Sequence, residues 1–184
     1  PFSVSSEVGA APWAPQHRLL KLGLKGKHVT PAEVPGTNLV FLIDTSGSMN
    51  DENKLPLLKQ AFALLVQQLD AIDRVSIVAY AGSAGVVLPP TPGDQRGAIV
   101  GALDRLEAGG STNGGEGIQL AYKLAAEGFV KGGINRVVLA TDGDFNVGVT
   151  SQSDLIDLVE QKAKTGVFVS VLGFGSGNYN GSTM

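Results

Sequence analysis

From Asn38 onward the apolar positions follow two rhythms that alternate along the chain. Leu39-Val40-Phe41-Leu42-Ile43 is an unbroken apolar run; in a strand this means that both faces are covered, as in a parallel sheet flanked by helices. Residues 54–72 change to a spacing of three and four, with Leu58, Ala61, Phe62, Leu65 and Leu69 on one stripe and Pro56 in the first turn, where a helix tolerates it. Residues 75–80 return to a strand pattern. Residues 85–88, closed by Pro89-Pro90, follow too soon for a helical crossover and are expected to pair antiparallel at the sheet edge. Helices are predicted over 94–106, using Ile99, Ala102, Leu103 and Leu106, and over 116–129, using Ile118, Ala121, Leu124 and Ala125. A strand at 136–141, a helix at 154–165 capped by Ser151 or Ser153, and a strand at 167–173 complete the series. The alternation predicts an α/β fold: a doubly wound, mostly parallel open sheet with one antiparallel edge strand and helices on both faces.

The first 37 residues have a different texture. Pro12, Pro15, Pro31 and Pro35 punctuate a single alternating stretch, 18–25, with Leu20, Leu22 and Leu24 on one side and Lys21 and Lys25 on the other. This predicts an N-terminal extension, 1–37, holding one half-buried edge strand and a linker, followed by a main domain at 38–184. Trp13, between two prolines, is expected to anchor the extension. The chain starts at Pro1 rather than Met, so an upstream segment is expected; after Gly173 it reaches Met184 where a further helix is expected, so the domain reads as lacking its last helix. The strand at 167–173 would then have one bare apolar face, to be covered by the extension or by a second copy in a homodimer.

Composition narrows the chemistry. With no cysteine among 184 residues, disulfide scaffolds, thiolate zinc sites and thiol nucleophiles are excluded together. At this length a chain buries roughly 70% of its unfolded surface, enough for a core without such staples. A net charge of −3 with scattered Lys and Arg argues against nucleic acid as partner. No apolar run nears the ~18 residues of a membrane span.

Three stretches converge on the carboxyl edge of the predicted sheet, where open α/β sheets bind ligands. The first strand of the main domain ends in Asp44-Thr45-Ser46-Gly47-Ser48, a Gly-rich loop presents Ser111 and Thr112, and the strand at 136–141 leads into Asp142-Gly143-Asp144. Hydroxyls and carboxylates without His or Cys are hard oxygen donors suited to Mg²⁺, Mn²⁺ or Ca²⁺ rather than zinc or copper. Asp44, Ser46 and Ser48 can point the same way because residues two apart share a side of the turn.

These motifs resemble the metal-ion-dependent adhesion site of von Willebrand factor type A domains, and their wording is most similar to bacterial members with an extra N-terminal segment. The resemblance covers roughly residues 38–175 and implies a Rossmann-like fold. It implies that Ser46, Ser48 and Thr112 coordinate the ion through hydroxyls, that Asp44 and Asp142 are direct or water-bridged ligands, and that a Glu or Asp carboxylate from a partner protein completes the octahedron. It further implies a non-enzymatic, metal-dependent adhesion or scaffold module, extracytoplasmic or envelope-associated, with Mg²⁺ as its cofactor.

Plainer readings stand beside this one. Ser46 alone is an ordinary turn former, Asp144 an ordinary loop carboxylate, and His17 and His28 lie away from the motifs. A phosphohydrolase of the haloacid-dehalogenase type also places an Asp after its first strand, but that family needs a second Asp where Ser46 stands. Neither Gly-x-x-x-x-Gly-Lys-Ser/Thr nor Gly-x-Ser-x-Gly occurs, and no His lies near the motifs to act as base. A scaffold subunit working with an ATPase is the remaining alternative.

Overall fold

The computed structural model describes residues 2–26, 34–110, 114–143 and 152–175, and the chain divides into two compact units, Pro1–Val34 and Pro35–Met184. In the first unit, β1 (Phe2–Ala10) and β2 (Arg18–Gly26) pair antiparallel. Val4 lies opposite Leu24 and Val8 opposite Leu20 on one face; on the other, Lys21 stands 3.4 Å from Glu7. The sequence reading expected one strand at a sheet edge. The structure has two, in a sheet of their own, because Phe2, Val4 and Val8 alternate in step with Leu20, Leu22 and Leu24. Trp13 lies in the turn between the two strands.

The second unit is built on strands β3 (Thr37–Asp44), β4 (Arg74–Tyr80), β5 (Ala84–Pro92), β6 (Ile134–Thr141) and β7 (Val167–Gly173), with helices α1 (Leu55–Val66), α2 (Arg96–Asp104), α3 (Gly114–Glu127) and α4 (Gln152–Lys164). The strands form one sheet in the order β5-β4-β3-β6-β7, in which β5 is antiparallel and all other neighbours are parallel. This is the doubly wound sheet that the apolar runs predict. β3 is central and buried on both faces: Phe41 and Ile43 pack with α1 and α2, Val40 and Leu42 with α3. Gly117 lets α3 lie close, since a Cβ there would stand 3.1 Å from both Leu42 Cδ1 and Tyr80 Cβ.

Two elements differ from the reading. α1 stops at Val66, and its buried stripe is Leu55, Leu58, Phe62 and Val66, while Leu65 is 38% exposed and Ala61 faces outward. Spacing alone permits either stripe; the ring of Phe62, stacked on Phe41 at 4.1 Å, fixes the helix rotation. β5 continues through Pro89 and Pro90 because its outer side needs no ladder donors, and shifts in its register against β4 absorb the irregularity. Among the described residues no helix is long and apolar enough to cross a membrane.

Candidate functional site

The chain runs from β3 to β4 on one side of the sheet and later enters β6 on the other, so strand order reverses between β3 and β6. Outside the carboxyl ends of strands at such a reversal, loops diverge and leave room for a ligand. Asp44 ends β3 and Thr141 ends β6, and the pairing of Ile43 with Ala140 brings the two side by side.

Asp44 is fully buried. Its Oδ1 accepts the N–H of Ser46 at 2.9 Å and its Oδ2 accepts the hydroxyl of Thr141 at 3.0 Å. The first bond folds the chain back immediately after the strand, and Ser46 Oγ and Ser48 Oγ then stand 3.0 Å apart. Backbone bonds hold the turn in place: Gly47 N–H donates to the Gly110 carbonyl at 3.2 Å, and Gly109 N–H to the Thr45 carbonyl at 2.7 Å. The segment leading toward Thr112 is thus laced to the serine turn. Thr112, Ser111 and Asp144 lie outside the described residues.

Asp142, 5% exposed, follows β6. Gly143 comes next with a φ of 112°, a conformation in which a side chain would be strained, and its N–H donates to Thr141 Oγ1 at 3.3 Å. Asp142 Oδ2 accepts the Lys54 ammonium at 3.0 Å, whereas Oδ1 is buried without a hydrogen-bond partner among the described residues. Lys54 Nζ also donates to the Ser48 carbonyl at 2.9 Å and lies 3.4 Å from Asp51. Among the described residues no three Asp, Glu or His side chains group to hold a metal, and the buried carboxylates at this edge are Asp44 and Asp142.

Burial raises the Asp44 pKa above its usual value, and the Asp142 charge adds to the rise, while bonds from Ser46 and Thr141 oppose it. The bond to Asp142 raises the pKa of Lys54, against the effect of burial. Tyr80, level with Asp44 on the neighbouring strand, has its hydroxyl pKa raised chiefly by burial and then by the Asp44 charge. The donor set fits a small hard cation: two hydroxyls 3.0 Å apart, a buried carboxylate, and an unpartnered carboxylate oxygen.

Of the sequence candidates, Asp44, Ser46, Ser48 and Asp142 therefore share one strand edge. Lys54, which the spacing places at a helix start, and Thr141, which orients Asp44, join them at this edge without any sign in the sequence pattern. Lys54 resembles any surface lysine in sequence, whereas Thr141 stands directly before Asp142.

Residues 39–145 match the von Willebrand factor type A domain. The uncharacterized protein YfbK of Escherichia coli K12 is 46% identical over the whole of this chain, which covers 32% of that protein. Thus the chain spans about a third of the length of this curated relative. Two solved structures are similar. The von Willebrand factor type A protein from Catenulispora acidiphila has a TM-score of 0.62 at 22% identity, over 94% of this chain and 39% of that one. The aerotolerance-related membrane protein from Bacteroides fragilis has a TM-score of 0.57 at 25% identity, over 76% of this chain and 68% of that one.

Proposed function

Because the chain belongs to the von Willebrand factor type A family, whose domains are protein-interaction modules of adhesion and scaffold proteins, we propose that it is a non-enzymatic module that captures an acidic side chain of a partner protein through a divalent metal ion. Ser46, Ser48 and Thr112 hold Mg²⁺ or Mn²⁺ through their hydroxyls, with Asp44 and Asp142 as direct or water-bridged ligands. The observation that carries the reading is the convergence of Asp44, Ser46, Ser48 and Asp142 on one strand edge, with Asp142 Oδ1 buried and unpartnered among the described residues. An unpaired buried carboxylate oxygen is costly, and a hard cation removes that cost.

When bound, the ion supplies an electrophilic position for a Glu or Asp carboxylate of the partner, because hydroxyl ligands leave its charge largely unneutralised. The protein's own part is orientation. Thr141 and the Ser46 amide fix the Asp44 carboxylate, and the bonds from Gly47 and Gly109 fix the serine turn. No His stands among the residues of this edge to serve as a base. The likeness to a membrane protein of B. fragilis supports an envelope-associated setting.

Titration calorimetry tests the site. Asp44→Ala is expected to lower Mg²⁺ or Mn²⁺ affinity at least about tenfold, ~1.4 kcal/mol, with the fold retained; unchanged affinity would remove the proposal.

A further inference from the structure

Lys54 brings a positive charge to an edge otherwise furnished with hydroxyls and carboxylates. It lies at the N-terminal start of α1, yet its side chain is only 9% exposed and points back to the strand edge. Among the described residues its ammonium bonds groups of the site or its rim: the Ser48 carbonyl at 2.9 Å, Asp142 Oδ2 at 3.0 Å and Asp51 at 3.4 Å. Asp51 is 70% exposed and needs no partner, whereas Asp142 is 5% exposed and stands beside a second buried carboxylate, Asp44. A buried carboxylate without a counter-charge is strongly destabilising. Lys54 thus meets the need of Asp142, and it does so on one oxygen, leaving Oδ1 without a partner among the described residues.

We infer that Lys54 is a tethered counter-cation, which keeps the site folded and partly neutralised when no divalent ion is bound and competes electrostatically with the ion for Asp142. This rests on the metal site proposed above. Its physical basis is charge addition. With the ammonium in place, the buried charges of Asp44, Asp142 and Lys54 sum to −1 rather than −2, so a divalent ion meets a weaker attraction and shares the Asp142 carboxylate with another cation. The consequences are a metal-free state that stays folded and a metal that exchanges readily. Lys54 is a tuning and positioning residue; it is not a ligand.

The test uses Lys54→Met, Lys54→Met with Asp142→Asn, Asp44→Ala and the unaltered protein, with Mn²⁺ as the probe. Calorimetric titration is expected to give at least about tenfold tighter Mn²⁺ binding in Lys54→Met. In chelator, Lys54→Met is expected to melt several degrees lower, with Asp142→Asn restoring most of the loss, which simple loss of packing by the lysine stem would not produce. If Lys54→Met fails to fold while the double variant folds, the counter-cation role is supported; if neither folds, it is overturned. Equal or weaker Mn²⁺ binding in Lys54→Met, while the unaltered protein binds and Asp44→Ala does not, overturns the role of Lys54 and leaves the metal site standing. Absence of Mn²⁺ binding in every variant overturns the metal site itself, and the competition with it.

Discussion

The hydroxyl of Thr141 donates to Asp44 Oδ2 at 3.0 Å, joining the last residues of two parallel strands across the point where strand order reverses. The same hydroxyl accepts the Gly143 N–H at 3.3 Å, so one side chain orients the carboxylate on β3 and the turn that presents Asp142. Thr141→Val keeps the shape and removes both bonds. It is expected to cost about 1–2 kcal/mol in denaturant unfolding, since it leaves buried polar groups unpaired, and to weaken Mn²⁺ binding measurably. Unchanged metal affinity would show that Asp44 needs no such orientation.

Asp44 is expected to trade stability for function. Its folded-state pKa is raised, so the fold favours the neutral form; that contribution is present below the unfolded value of about 3.9 and is lost as pH rises through the raised value. At neutral pH and in chelator, Asp44→Asn should therefore melt at or above the unaltered protein, and the difference should shrink below about pH 4. Added Mg²⁺ should raise the melting temperature of the unaltered protein alone. A marked loss of stability in Asp44→Asn at neutral pH would show that the buried carboxylate stabilises the fold.

The α1 face offers a test of packing. Val66 is fully buried and Leu65 is 38% exposed, although both are apolar neighbours in sequence. Val66→Ala should lower stability by about 1–3 kcal/mol and Leu65→Ala by less than about 1 kcal/mol. The reverse ranking in urea melts would place the helix on the stripe that spacing also allowed.

This pair marks the limit of what the sequence discloses. The strands and the mostly parallel character of the sheet were legible because Leu39 to Ile43 and their neighbours form unbroken apolar runs, and the strand edge was legible because Asp44, Ser46, Ser48 and Asp142 sit directly after strands. The rotation of α1 was not, since the contact that sets it joins Phe41 and Phe62 from different elements. Lys54 was illegible for the same reason: its partner Asp142 is 88 residues away. The buried pair Asn38 and Asn135 also escaped notice. Asn135 binds the backbone of Val130 through both its amide atoms, at 2.9 and 3.0 Å, and receives Asn38 Nδ2 at 3.2 Å. Polar residues at strand starts give no sign in sequence of such closure.

Asn135→Ala is accordingly expected to be among the more damaging changes remote from the site. It leaves the Val130 backbone and Asn38 without these partners, a cost of about 2–4 kcal/mol for several buried groups, or very roughly 4–16 °C in melting temperature for a domain of this size. Metal affinity of the folded fraction should be unchanged.

The purified protein should not hydrolyse phosphate esters with Mg²⁺ or Mn²⁺ present, because the Asp44 carboxylate is held by Ser46 and Thr141 and the neighbouring Asp142 carboxylate is paired with Lys54. Turnover that Asp44→Asn abolishes would place the chain in a different functional class.

Whether the edge formed by Asp44, Ser46, Ser48 and Asp142 holds a divalent ion is decided by an anomalous-difference map from crystals grown with Mn²⁺. One strong peak is expected within coordination distance of Ser46 Oγ and Ser48 Oγ, on the side of Asp142 Oδ1. A map with no peak at saturating Mn²⁺, or with its peak away from these residues, would contradict the proposed metal site.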